Sequence, residues 1–374
     1  MKIGIDARLW SETGVGRYIR NLVKNLAEID HKNQYILYLT ENEFKTVELP
    51  GKNFEKRLTF IRWHTLQEQL LFASLLYKDT LDLVHFPYFS FPIIYNRPFV
   101  ITIHDLILHH FPTGQASTLP LWMYRTKLES YKFLITRGAK KAKKVLTVSN
   151  TTKGEIVDHL KVPENKIVVT YEGIDESLQL AMKHPIKDNQ NKNKYFLYVG
   201  NAYPHKNLER LLKAFAQFAK DAPKVNLILV GKEDFFYTRL NKLRWELGLG
   251  SVVIFKHDVS DEELVSLYRH AIGLVQPSLM EGFGLPALEA MANNCVVLAS
   301  DIPSLKEICQ ESAIYFDPMH IEAIAETMKK VYFYPKEFSK LHAIGLERVK
   351  QFSWQKMAKE TLAVYENSVS LRQS

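Results

Sequence analysis

Two glutamates eight positions apart, Glu281 and Glu289, bracket the segment Gly282-Phe283-Gly284-Leu285-Pro286. A strand pattern ends near Gln276, and Pro286 falls where the first turn of a helix should lie. Gly282 and Gly284 allow the backbone to come close to a ligand, and the helix N-terminus that follows presents unpaired N–H groups. Such a turn suits an anion, a diphosphate in particular. Glu289 sits about one turn into that helix, where a carboxylate accepting two hydrogen bonds suits the paired hydroxyls of a ribose. Glu281, in the loop, is placed to take sugar hydroxyls. A glycine pair at a strand-to-helix turn is common, so the turn alone defines no chemistry.

Four other segments carry candidate groups. Ile5-Asp6-Ala7-Arg8 is followed by Thr13-Gly14-Val15-Gly16-Arg17-Tyr18, a strand and a glycine loop without the third glycine of a dinucleotide fingerprint. Val100-Ile101-Thr102-Ile103-His104-Asp105 puts His104 at a strand end, although a lone loop histidine is more often structural. Tyr198-Val199-Gly200-Asn201-Ala202-Tyr203-Pro204-His205-Lys206-Asn207 supplies Lys206, a point charge suited to an anion. In Val259-Ser260-Asp261-Glu262-Glu263-Leu264, Ser260 reads as a helix N-cap with Glu263 completing a capping box.

The elements that must position these groups alternate along the whole chain. Strands are expected at residues 2–6, 34–39, 58–63, 82–86, 99–103, 144–148 and 167–170, with helices at 17–29, 66–77, 119–137 and 151–160. The polar stretch 184–194 interrupts the pattern. It then restarts with strands at 195–199, 225–230, 252–255, 272–276, 296–300 and 313–316, and helices at 208–220, 235–247, 261–269, 286–293 and 322–332. From Lys336 onward the chain reads as helical. This is an α/β architecture of two doubly wound, Rossmann-like domains facing across a cleft. The expected boundaries are residues 1–175, a linker over 176–194, and 195–352, with a C-terminal helix over about 353–374 packing back on the first domain. Ligands in such sheets sit at the carboxyl ends of strands, where all of the candidate groups fall.

Pro277 to Ala292 resembles, nearly throughout, the Glu-x7-Glu signature of retaining glycosyltransferases of the GT-B fold, glycosyltransferase family 4 in particular. The resemblance extends over nearly the whole chain, to Phe352-Ser353-Trp354 before the last helix. It implies that Gly14, Gly16 and Arg17 approach the donor diphosphate, that His104 faces the sugar ring, and that Lys206 binds the donor phosphates. It also implies a donor site lined by Asn201, Val259, Glu281, Gly282, Phe283, Gly284, Leu285 and Glu289. His104, Lys206 and Glu281 are the catalytic candidates. Many members carry an arginine directly after the glycine, where this chain has Asn201. The first-domain pattern and residues 200–207 look most like bacterial and archaeal mannosyltransferases of polysaccharide assembly, which points to GDP-mannose, with UDP-glucose as the alternative donor.

Composition narrows the surroundings. The chain has 374 residues, 46% hydrophobic and 24% charged, which suits a globular protein of about two domains. No apolar run reaches the roughly 18 residues of a membrane span. The N-terminus reads as a strand instead of a secretory signal, and Cys295 and Cys309 form neither a disulfide framework nor a metal pair, so the cytoplasm is expected. The net charge of +8 attracts polyanions. Basic and aromatic residues between Trp122 and Lys144 suit either a solvated helix end or an anionic membrane surface, which would place the protein at its inner face. No nucleic-acid module is present. There is no Asp-x-Asp, and no His/Cys/carboxylate cluster has zinc spacing; His104, His109 and His110 do not share a face. The partners expected are therefore a nucleotide-sugar donor and a glycan or lipid-linked acceptor, with no metal and no cofactor. A non-catalytic nucleotide-sugar-binding protein, or an epimerase or phosphorylase of similar fold, are the competing readings.

Overall fold

The computed structural model describes residues 1–112, 120–175, 178 and 194–370. Most of the expected linker, the first residue of the helix expected at 119–137, and residues 371–374 lie outside the described residues. The chain divides into two compact units, residues 1–173 with 353–374, and residues 174–352.

The first unit is built on seven parallel strands: β1 (Lys2–Asp6), β2 (Gln34–Leu39), β3 (Phe54–Leu58), β4 (Leu83–Phe86), β5 (Phe99–Ile103), β6 (Val145–Thr147) and β7 (Ile167–Val169). Their order is β3-β2-β1-β4-β5-β6-β7. Strands β4 and β5 are buried along their full length and are apolar except for His85 and Thr102, as a sheet covered on both faces requires. The order reverses between β1 and β4, which opens a crevice at their carboxyl ends. One strand is displaced from expectation. The apolar run 58–63 is not the strand; Phe54–Leu58 is, and Phe60 is 72% exposed. Strand β3 is the sheet edge and pairs only with β2, so its central Glu55, Lys56 and Arg57 can reach water. An edge strand with that charge lacks the apolar run by which the other strands are read. The helix expected at 66–77 begins with a π-turn, Glu68–Phe72, before Ala73–Lys78.

The helix Trp354–Ser370 belongs to the first unit and packs on the helix Gly14–Ile29. Gly173 permits the approach: a Cβ there would lie 2.2 Å from the Trp354 nitrogen. His85, wholly buried on β4, bonds Tyr365 of that helix through Nδ1 at 2.6 Å and Thr102 of β5 through Nε2 at 2.7 Å. A neutral imidazole donates once and accepts once, and both hydroxyls can answer either way.

The second unit has six parallel strands: β8 (Tyr195–Val199), β9 (Asn226–Val230), β10 (Val253–Lys256), β11 (Gly273–Gln276), β12 (Val297–Ser300) and β13 (Ala313–Phe316). They are ordered β10-β9-β8-β11-β12-β13, with the reversal between β8 and β11. The helix Leu208–Asp221 repeats apolar residues at helical spacing and buries Leu208, Leu211, Leu212, Phe215 and Phe218 against this sheet.

Candidate functional site

In the second unit the two loops at the switch point are knit together by hydrogen bonds to backbone carbonyls. Leu279 N–H donates to the His205 carbonyl at 2.8 Å, and Asn207 Nδ2 donates to the Pro277 carbonyl at 3.0 Å. Asn207 adopts φ +62°, which ends the short 3-10 turn Pro204–Lys206 and starts the helix Leu208–Asp221. This turn aims Lys206 at Glu281. The ammonium lies 2.8 Å from both carboxylate oxygens, and Ser278 Oγ (2.6 Å) and Gln276 Nε2 (3.2 Å) also donate to Glu281 Oε1. Burial alone would raise the Glu281 carboxyl, but the Lys206 ammonium, the Ser278 hydroxyl and His205 hold it below its ordinary value. Burial and the neighbouring Lys206 push the His205 imidazole down to about 4, so it is neutral near pH 7.

The remaining predicted residues of this unit surround that pair in chain order. Gly282 lies half-buried in the bend, and Phe283 packs edge-on against Phe352 at 5.7 Å. Gly284 has φ +107°, a conformation that favours glycine, and a Cβ there would meet Leu305 at 2.7 Å. Leu285 begins the helix Leu285–Ala292. Glu289 is buried in it and accepts a 2.8 Å hydrogen bond from Tyr268, so one of its oxygens already has a protein partner. Asn201 turns inward on its own loop: its carbonyl accepts from Tyr198 Oη at 2.6 Å and its Oδ1 from the Tyr203 N–H at 3.4 Å. Val259 is half-buried ahead of Ser260, which caps the helix Asp261–His270 by accepting from the Glu263 N–H at 3.2 Å. The expected capping box is not the arrangement found, because Glu263 Oε1 pairs with Lys256 at 2.6 Å.

In the first unit, Gly14 opens the helix Gly14–Ile29 with clear space around its Cα. Gly16 is sterically required, since a Cβ would lie 2.5 Å from the Trp10 carbonyl oxygen. Arg17 follows in the first turn, its N–H bonded to the Thr13 carbonyl. His104, at the end of β5, donates from Nε2 to the Pro87 carbonyl at 3.0 Å; its Nδ1 faces Glu172 at 3.6 Å and its ring meets Tyr18 edge-on at 4.9 Å. Tyr18 is fully buried, and burial pushes its hydroxyl up to about 12.

Sequence reading missed several of these groups. Arg8 is buried and bridges Asp6 to Glu68, with its guanidinium 3.9 Å from the centre of the Phe72 ring. Ser90 and the His64 N–H complete the other oxygen of Glu68. Burial would lower the Arg8 pKa, but the two carboxylates raise it, so the charge is permanent. Glu172, Tyr18, Gln276, Ser278 and Tyr268 were likewise silent; the one signal was the run of ionisable residues around Ile5-Asp6-Ala7-Arg8.

Two doubly wound parallel sheets, each with polar loops at its switch point, are the architecture of GT-B glycosyltransferases. Residues 13–178 match the profile described as Glycosyltransferase Family 4, and residues 182–344 match Glycosyl transferases group 1. The O-antigen chain mannosyltransferase RfbU of Salmonella typhimurium is 30% identical over 343 residues, covering 89% of this chain and 91% of the relative. An O-antigen chain mannosyltransferase B of Escherichia coli is 29% identical over 387 residues, 94% of this chain and 96% of the relative. Sucrose-phosphate synthase from Thermosynechococcus elongatus superposes with a TM-score of 0.79 at 21% identity, covering 99% of this chain and 100% of the solved one. The chain belongs to glycosyltransferase family 4, a family of retaining hexosyltransferases.

Proposed function

We propose that this chain transfers mannose from GDP-mannose to a glycan or lipid-linked acceptor, with retention of configuration and without a metal ion at the diphosphate. The observation that carries the reading is the Lys206–Glu281 pair at the β8/β11 switch point. An ammonium has three N–H donors, so one paired with a carboxylate keeps capacity for a phosphate oxygen. Glu281, held ionised, accepts from sugar hydroxyls, and Gly282, Phe283, Gly284 and Leu285 bring the N–H groups of a helix start toward the diphosphate. Glu289 takes the ribose, sharing its carboxylate with Tyr268. For Gly14, Gly16 and Arg17, at the first unit's own switch point, we propose a role in holding the diphosphate, and for His104 a role toward the sugar. Val259 lies by the base, and Asn201 stands where many relatives carry arginine.

The bond between the anomeric carbon and the diphosphate oxygen breaks while the acceptor oxygen attacks the same face. The acceptor proton passes to the departing phosphate oxygen. Catalysis then rests on orientation and on stabilising the oxocarbenium ion and the diphosphate. Mannose is supported by two mannosyltransferase relatives that align along nine-tenths of their lengths.

For the acceptor, the helix Leu121–Lys141 exposes Trp122 and Phe133, and Lys132, Phe133, Arg137, Lys140 and Lys141 line a surface hollow of about 630 Å³. This basic, aromatic face suits an anionic membrane bearing a lipid-linked glycan. No described helix is long and apolar enough to cross a membrane.

The test is transfer from radiolabelled GDP-mannose and UDP-glucose into extracted glycolipid acceptors in the presence of EDTA, with the product anomer read by NMR. An α-mannosyl product supports the proposal, while glucosyl transfer or an inverted product contradicts it.

A further inference from the structure

Folding assembles a cluster that no sequence spacing reveals. Glu155 and His159 lie one turn apart on the helix Asn150–Leu160, and so project from one face. His110, at the end of the short helix Ile107–His110, meets them from the segment that follows β5. His110 Nε2 contacts Glu155 Oε2, His159 Nε2 lies 3.2 Å from the same oxygen, and the two imidazole rings stand edge to face at 4.9 Å. One ligand atom from each of the three side chains falls within 4.8 Å of the others. Ligands held at about 2.0–2.1 Å in a tetrahedral zinc site are separated from one another by about 3.3 Å, so small rotations of these side chains bring all three onto one ion. All three are partly open to solvent, which gives an ion a route in and leaves a fourth position for water.

We propose that His110, Glu155 and His159 form a binding site for a divalent transition metal of the zinc class. Two imidazoles and one carboxylate are a borderline donor set that prefers Zn²⁺, Co²⁺ or Ni²⁺ to the all-oxygen coordination of Mg²⁺. The site is separate from the diphosphate chemistry and acts as a clip. It ties the segment that begins at His104 to the helix Asn150–Leu160, whose Thr152 Oγ1 also reaches the His104 carbonyl at 3.4 Å. The bound ion holds the backbone of His104 in place.

The test is titration of the untagged full chain with Zn²⁺ against a chromophoric zinc indicator, with Co²⁺ absorption as a second readout. One ion per chain is expected, with the intense d–d bands of a tetrahedral Co²⁺ site, and Mg²⁺ should not compete. His110→Ala and His159→Ala should each weaken binding at least tenfold, and Glu155→Gln should do so while keeping the side-chain shape. Far-UV circular dichroism of the metal-free variants separates a lost ligand from a lost fold. Uptake that persists unchanged in the His110→Ala/His159→Ala double variant, or no uptake by the wild type, overturns the site and leaves the three residues as an ion-paired cluster.

Discussion

The Lys206 ammonium sits 2.8 Å from both carboxylate oxygens of Glu281, although the two residues are 75 positions apart and arise from the loops after β8 and β11. Those strands are neighbours only because the sheet order reverses there, so the pair is a product of topology. It makes the candidate donor site partly self-neutralised before any diphosphate arrives.

Lys206→Ala should therefore do two things. Transfer should fall by orders of magnitude, and the protein should lose roughly 1–3 kcal/mol because Glu281 is left buried without its cation. Lys206→Met combined with Glu281→Gln should recover the melting temperature but not the activity. Near-wild-type turnover in Lys206→Ala would show that the lysine is structural only.

Glu281 also sets an acid limit. Its folded-state pKa is lowered, so its contribution is full above the ordinary carboxylate value of 4.5 and is lost as pH falls through the folded value. Urea unfolding between pH 5 and about 3 should show a shallower loss of stability in Glu281→Gln than in the wild type.

His85 acts at higher pH. Burial, with His104 beside it, holds its imidazole down to about 3 from the ordinary 6.5. The unfolded chain then binds a proton that the folded one refuses, so stability is full above about 6.5 and declines as pH falls toward 3. The slope for one such group is about 1.4 kcal/mol per pH unit. His64 and His205, each held at about 4, add to it. Replacing His85 by Asn should flatten the slope by one group's share, measured as urea midpoints at several pH values.

Gly173→Ala places a Cβ against backbone atoms of Ser353 and Trp354, which cannot rotate away. The helix Trp354–Ser370 should be displaced from the first unit. Limited proteolysis should then cut near residue 353 in the variant under conditions where the wild type is resistant.

Replacing Lys132, Arg137 and Lys140 by Gln should weaken sedimentation with anionic vesicles several-fold, and more at low salt. Equal binding would assign that face to solvent.

Much of the sheet framework was legible because the strands of a parallel sheet are mostly apolar; β1, β2, β5, β8 and β13 span the residues expected for them. Strand β3 was not, since an exposed edge carries Glu-Lys-Arg and hides its period. The glycine turn at 282–284 was legible from local spacing, because the positive φ of Gly284 is a local requirement. The partners were not. Arg8 with Glu68, His104 with Glu172, and His110 with Glu155 and His159 are 60, 68 and up to 49 positions apart, and spacing carries no record of contacts made by the fold.

The most direct test of the account is thermal stability against GDP, UDP, ADP and the matching nucleotide sugars, with and without EDTA. The donor site proposed around Lys206 and Glu281 predicts a rise in melting temperature with GDP and GDP-mannose whose size is unchanged by EDTA and absent in Lys206→Ala. No rise with any nucleotide, or a rise that EDTA abolishes, would contradict it.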